Sequence, residues 1–203
     1  MARIAAALIA LICWAGIALQ FWASFTFRHY DLVLTVWTLL RFFTIISNLA
    51  LAVTMTMVAL GLRVSPVVLG GLTLAILLVG IVYRTLLAGL HPLSGLPLIA
   101  NYLLHDISPI AMTAYWLLFV PRGRLRWSAP WQWAIFPVAY FLYVLGRGQL
   151  DHRYPYPFID VGKLGWLQVG LNAGGIALAF ILAGFLLVWV DSWRPLGPSR
   201  GRR

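Results

Sequence analysis

Long apolar segments alternate with short polar connections along almost the whole chain. A helix needs about 20 mostly apolar residues to cross the hydrocarbon core of a bilayer, and the segments reach or approach this length. Prolines and arginines mark the connections, as expected where helices end. The pattern predicts six transmembrane helices: at about 4–25, from within DLVLTVWTLLRFFTIISN to about 62, and at about 66–90, 98–120, 131–145 and 164–190.

Composition supports a membrane protein. The 203 residues are 62% hydrophobic and only 10% charged, with a mean hydropathy of +0.90, which excludes an ordinary water-soluble domain. The first segment is too long for a secretory signal and lacks a convincing cleavage site, so we expect a retained helix. We therefore predict an all-α integral membrane bundle at 1–193, followed by a short basic cytoplasmic tail at 194–203.

The net charge of +10 indicates how the helices are oriented in the membrane. The arginines cluster at the ends of the predicted spans, which favours anionic lipid and the positive-inside rule over nucleic acid as the explanation. Six spans place both termini on one side, and nine basic residues fall there against six opposite. We predict cytoplasmic termini in a multi-pass protein of the cell inner (plasma) membrane. The terminal side would hold Arg3, Arg63, Arg122, Arg124, Arg126, Arg194, Arg200, Arg202 and Arg203; the other would hold Arg28, Arg41, Arg84, Arg147, Arg153 and Lys163.

Polar residues within the apolar segments recur at helical spacing near one end of five predicted helices. Buried polar groups are costly in lipid and usually face a protein interior. The spacing therefore predicts one polar pocket in the outer half of the bundle. The residues that share faces are Arg41, Thr44 and Asn48 on the second helix; Arg84 on the third; Asn101, His105 and Pro109 on the fourth; Tyr140, Tyr143 and Arg147 on the fifth; and Gln168 and Asn172 on the sixth.

Structural explanations for several of these residues remain open. Arg41 and Arg84 could extend to the membrane surface and pair with a carboxylate such as Asp106. Asn48 and Asn172 could join helices by hydrogen bonds. The tyrosines could belong to an interfacial aromatic belt.

Thr44 and His105 are the residues that point to chemistry. An imidazole titrates near neutrality and can act as a general base, and a hydroxyl nucleophile needs such a base within hydrogen-bonding reach. Asp106 follows His105 directly, so on a helix the two side chains diverge. The single cysteine, Cys13, excludes a disulfide within the chain, and the sequence carries no GxSxG, HExxH or Cys/His metal spacing and no glutamate. We expect no metal or organic cofactor.

Three segments together resemble the androgen-induced protein family of intramembrane threonine hydrolases, which has many bacterial relatives. RFFTIISN is similar to the family's F-x-T segment early in the second span. NYLLHDISP is similar to its Asn-x-x-x-His segment, and YPYPFID to its Tyr-Pro-Phe segment before the last span. Order, spacing and the six-span layout agree over nearly the whole chain.

The resemblance implies a threonine nucleophile at Thr44, a histidine base at His105, and hydrolysis of lipid esters such as fatty acid esters of hydroxy fatty acids. The shared faces make Arg41, Asn48 and Asn101 candidates for binding the oxyanion. Arg41 is also a candidate for holding a substrate carboxylate. We further expect Arg84, Tyr140, Tyr143 and Asn172 to bind substrate. The alternative is a non-enzymatic lipid-binding receptor or small transporter that uses the same pocket.

Overall fold

A computed structural model describes residues 1–90 and 92–193, and this part of the chain is helical and contains no strand. The predicted basic tail at 194–203 lies outside the described residues. The elements are α1 (Ala2–Phe27), α2 (Leu32–Leu39), α3 (Phe43–Ala59), α4 (Pro66–Val82) with a π-helical turn (Tyr83–Leu87), α5 (Gly95–Tyr102), a second π-helical turn (Leu103–Ile107), α6 (Ser108–Phe119), α7 (Ala129–Asp151), a 3-10 turn (Pro157–Ile159) and α8 (Val161–Ser192).

Within the described residues, three helices are long and apolar enough to cross a membrane, and a fourth span results if the bent pair α2–α3 is counted as one. The three are α1, α4 with its π-helical turn, and α8. The helices that cover the predicted spans at 98–120 and 131–145 are outside this set. The all-helical class is confirmed, and six spans remain a prediction.

The apolar core lies between α1, α3, α4 and α6. Leu51 and Met55 on α3 and Met112 on α6 are fully buried, and all three follow the polar residues of their own helices along the chain. The polar residues therefore sit at one end of a dry, close-packed core. α7 and α8 pack on each other and on the far side of α4.

The second predicted helix is broken, so the prediction that Arg41, Thr44 and Asn48 share one continuous helical face is wrong. α2 and α3 meet at 91°, with Arg41 in the turn between them and Phe42 in an extended conformation. Apolar residues continue on both sides of Arg41, so the hydrophobic pattern does not reveal that two helices meet there. Thr44 and Asn48 still share a face of α3, but Arg41 belongs to the turn.

The break is held by side chains of α7. A helix end leaves carbonyl groups without intrahelical partners, and those near the end of α2 accept hydrogen bonds from α7. Tyr143 Oη donates to Leu40 O at 3.2 Å, and Tyr140 Oη donates to Arg41 O at 2.8 Å. Arg147 donates to Trp37 O at 2.6 Å and stacks over that indole ring. The polar face predicted on α7 exists, and it secures the turn.

Candidate active site

The hydroxyl of Thr44 and the imidazole of His105 meet in the structure, but the single polar pocket predicted around them is absent from the described residues, because most of its predicted members line neither cavity. Thr44 is the second residue of α3, and His105 lies in the π-helical turn between α5 and α6. Thr44 Oγ1 and His105 Nε2 are 3.1 Å apart, and His105 Nδ1 is 3.2 Å from Asn101 O. A carbonyl can only accept, so Nδ1 carries the hydrogen and Nε2 is left to accept the hydrogen of Thr44.

The π-helical turn that holds His105 lies directly before Pro109. Proline has no N–H to donate, and the N–H of Ser108 shifts by one residue to Leu103 O. Leu104 O is thereby left without a main-chain partner, and side chains supply its hydrogen bonds. Ser108 Oγ donates to it at 3.1 Å and Asn48 Nδ2 at 3.2 Å.

Asn48 ties the two halves of the site together. It is fully buried, and its Nδ2 donates to Thr44 O at 2.9 Å as well as to Leu104 O. Its Oδ1 accepts the hydroxyl of Ser108 at 2.7 Å. Since both amide hydrogens are committed to carbonyl groups beside Thr44 and His105, this geometry favours a positioning role for Asn48 over the oxyanion role expected from the sequence.

α4 supports the histidine from the opposite side. A Cβ added at Gly80 would lie 2.9 Å from His105 O, so this close approach depends on glycine. One turn further, the ring of Tyr83 lies against the imidazole, with centroids 4.1 Å apart and planes inclined by 30°. Neither residue stands out in the sequence pattern.

Two cavities meet at the Thr44–His105 pair. The first, of about 310 Å³, runs between α4, α7 and α8 and is lined almost wholly by apolar side chains that extend to Phe180. The second, of about 250 Å³, runs between α1, the α2–α3 turn and the 152–160 connection. Residues common to both linings are Thr44, Tyr83, Leu87, His105 and Tyr156.

Tyr156 belongs to the YPYPFID segment, but the sequence analysis did not predict it as a site residue. It comes from the connection between α7 and α8, and its Oη accepts the main-chain N–H of Phe43 at 3.0 Å. Its ring stacks on Phe158, with a centroid separation of 5.3 Å and parallel planes. YPYPFID was the only signal that could have identified it.

Arg41 lies outside both cavity linings. Its guanidinium forms an ion pair with Asp151 and donates to Arg153 O at 2.7 Å. The side chain is buried, and its hydrogen bonds join the α2–α3 turn to the end of α7. This geometry favours an anchoring role for Arg41 over binding of a substrate carboxylate or oxyanion.

The remaining predicted residues occupy several environments. Arg84 pairs with Asp106 at 2.6 Å and leaves 56% of its side chain exposed, so it faces away from the pair. Asn101 is buried and contributes its carbonyl to His105. Asn172 donates to Phe158 O at 2.9 Å. Tyr140 lines the first cavity, whereas Tyr143 does not.

No protein-family model, curated protein or solved structure matches the chain. The resemblance to intramembrane threonine hydrolases therefore rests on the three motifs. Two of them supply Thr44 and His105, and the third supplies Tyr156. The structure brings these residues to the junction of the cavities. A hydroxyl that donates to a neutral imidazole beside apolar cavities is an arrangement suited to acyl transfer.

Proposed function

We propose that the protein is an intramembrane ester hydrolase that acts on lipids, with Thr44 as nucleophile and His105 as general base. The observation that carries the proposal is the 3.1 Å contact between Thr44 Oγ1 and His105 Nε2 at the junction of two apolar cavities. The carbonyl of Asn101 holds the imidazole in the tautomer that this role requires. The proposed chemistry uses no metal or organic cofactor.

The reaction follows two acyl-transfer steps. Thr44 Oγ1 attacks the ester carbonyl carbon while His105 Nε2 takes the hydroxyl proton. The carbon–oxygen bond to the alcohol then breaks, and His105 returns the proton to the departing oxygen. Water attacks the acyl-threonine and gives a proton to His105, which passes it back to Thr44 as the fatty acid leaves.

The two cavities support a substrate with an apolar chain on each side of the ester. The larger one suits an acyl chain, because its lining is almost entirely apolar as far as Phe180. The second accepts the alcohol half beyond the Thr44–His105 pair. Fatty acid esters of hydroxy fatty acids, the class that the sequence resemblance implies, have this two-armed form.

The finer topology is part of the same proposal: six spans in the inner (plasma) membrane, both termini in the cytoplasm, and the site in the outer half. Arg3 packs on Gly61, which supports a common side for the N-terminus and the α3–α4 connection. Asp191 near the end of α8 accepts the N–H of Leu125 through its carboxylate and that of Gly123 through its carbonyl. The arginine-rich 121–128 connection therefore lies beside the end of α8.

The direct test is ester hydrolysis by purified Thr44→Ala protein in detergent. We expect the rate to fall by about 10³-fold or more, because members of a nucleophile–base unit fail together, and labelling by a fluorophosphonate probe to disappear. His105→Ala should be comparably inactive, and Thr44→Ser should keep measurable activity because it keeps the hydroxyl. Equal rates for Thr44→Ala and wild type would refute the hydrolase and favour a lipid-binding receptor or transporter.

A further inference from the structure

The first turn of α3 presents main-chain N–H groups to the junction of the cavities. The first N–H groups of a helix have no acceptor within it, and they carry partial positive charge. Phe42, which precedes α3, offers no side-chain cap. The N–H of Phe43 is donated instead to Tyr156 Oη at 3.0 Å, and the next N–H in the turn, that of Thr44, is directed at the same phenol.

The Phe43 hydrogen bond fixes the role of the Tyr156 hydroxyl. A phenol has one hydrogen to donate and lone pairs to accept. Since Tyr156 accepts from Phe43, its own hydrogen can be donated to a neighbouring oxygen. The side chains of Thr44 and Tyr140 lie within hydrogen-bonding reach of the phenol, and the N–H donated by Phe43 polarises the O–H bond. Burial raises the pKa of Tyr156, so the phenol keeps its hydrogen at neutral pH. The stack on Phe158 holds the ring in place.

Several side chains near the pair donate hydrogen bonds elsewhere, and Tyr83, which also lines both cavities, has its ring against the imidazole. Asn48 gives both amide hydrogens to carbonyl groups, and Tyr140 gives its hydrogen to Arg41 O. Gln20 lines the second cavity and donates to Ser24 Oγ at 3.2 Å. Tyr156 lines both cavities and contacts the first turn of α3 beside the nucleophile.

We propose that the O–H of Tyr156 is the oxyanion donor of the ester hydrolase. This inference rests on the proposed function. When Thr44 Oγ1 bonds to the carbonyl carbon, the carbonyl oxygen becomes negative and accepts a hydrogen bond from the Tyr156 phenol. The Tyr156 proton stays on its oxygen throughout. Tyr156 is therefore a catalytic residue that stabilises the tetrahedral intermediate without taking part in proton transfer.

The test compares Tyr156→Phe with wild type and with Tyr154→Phe. Tyr156→Phe keeps the stacked ring and removes one donor, so kcat should fall by about 10²–10³-fold while KM stays within about twofold, because a donor used only in the transition state leaves ground-state binding unchanged. Tyr154 lies in the same connection, and its Oη accepts from Gln149 outside both cavities. Tyr154→Phe should retain wild-type kcat.

Inhibitor affinities distinguish an oxyanion donor from a structural tyrosine. A long-chain trifluoromethyl ketone mimics the tetrahedral intermediate, and its affinity should fall in Tyr156→Phe by the same factor as kcat/KM. A non-hydrolysable ether analogue should bind as in wild type. Equal losses for both ligands would overturn the proposal, because they would indicate a distorted site.

Two further outcomes separate this inference from the function on which it rests. Wild-type kcat in Tyr156→Phe, together with an inactive Thr44→Ala, would overturn the oxyanion hole and leave the hydrolase standing. Full activity in Thr44→Ala would overturn both. If Tyr156→Phe does not fold, a ring-fluorinated tyrosine at position 156 provides the test. Its stronger donor should raise kcat, and an unchanged or lower kcat would count against the proposal.

Discussion

At the scale of single residues, the position of His105 depends on neighbours that carry no chemistry. His105 lies in a π-helical turn directly before Pro109, and Asn48 and Ser108 donate to Leu104 O, the carbonyl that this turn leaves free. π-Helical turns of this kind often occur at functional sites. Gly80 lets α4 approach the same turn on its other side.

Replacing Gly80 by alanine should displace His105. The new Cβ would lie 2.9 Å from a main-chain oxygen, which cannot rotate away as a side chain could. We expect a stability loss of about 1–3 kcal/mol and a lower kcat, measured by thermal unfolding and ester hydrolysis in detergent. A Cβ at Gly170 on α8 would meet nothing within 4 Å, so Gly170→Ala should match wild type. Unchanged kcat in Gly80→Ala would show that the contact is not needed.

The neighbouring residues Asn48 and Ser47 should respond in opposite ways to removal of their polar groups. Asn48→Ala leaves the carbonyl groups beside the nucleophile and the base short of donors, at a cost of about 1–3 kcal/mol for a buried group, and should lower kcat. Among the described residues, the buried Ser47 Oγ has no hydrogen-bond partner. Ser47→Ala should therefore be neutral or stabilising. Thermal unfolding midpoints and kcat are measured for both variants. Equal changes in Asn48→Ala and Ser47→Ala would contradict the prediction.

At the scale of helices, the sequence predicted the regular segments better than their ends. The spacing predicts the polar face of α7. The sequence also allows Asn48 to form hydrogen bonds between helices. The bend at Arg41 was missed because apolar residues continue on both sides of it. The targets of Tyr140, Tyr143 and Arg147 were also missed, since spacing tells which side chains share a face but not which carbonyl groups a distant bend exposes.

The ion pair at this bend should make stability depend on acid pH. Burial acts to raise the pKa of Asp151, but hydrogen bonds from Arg41 and Arg153 outweigh it, and the net pKa lies below its ordinary value. A carboxylate whose pKa is lower in the folded state stabilises above its unfolded-state pKa, and this contribution is lost as pH falls through the folded-state pKa. Unfolding of wild type should become easier through the acidic range.

Asp151→Asn is the control for that titration. It removes the charge, so the variant should be less stable than wild type at neutral pH and should lose less stability on acidification. Thermal unfolding in detergent between neutral pH and the acidic range measures both. Identical pH profiles for the two proteins would show that another group controls the acid response.

At the scale of the whole molecule, orientation can be tested with fusions. The arginine-rich connection beside the end of α8 should lie in the cytoplasm, because basic connections are retained on that side. Alkaline phosphatase fused after Pro121 should be inactive, whereas fusion after Pro92 should give active enzyme. Reporter activity in cells checks this. The reverse pattern would invert the orientation and place the site in the inner half.

The all-helical class and the meeting of Thr44 with His105 could both be anticipated from the sequence, for different physical reasons. Apolar length and helical spacing predict helices and their buried faces directly. The pairing of these two residues came from a shared depth and from motif resemblance. The first cavity depends on how α4, α7 and α8 pack around small residues such as Ala173 and Gly174, and local patterns do not encode such spaces between helices.

The meeting of two cavities at the Thr44 hydroxyl has a consequence for the order of product release. In the proposed mechanism, the alcohol half of a cleaved ester leaves through the second cavity while the acyl chain is still bound to Thr44 in the first. Water must then reach the acyl-threonine through the space that the alcohol has vacated. A second alcohol in that space would capture the acyl group and release a new ester. Occupancy of the second cavity would thus set the partition between hydrolysis and acyl exchange.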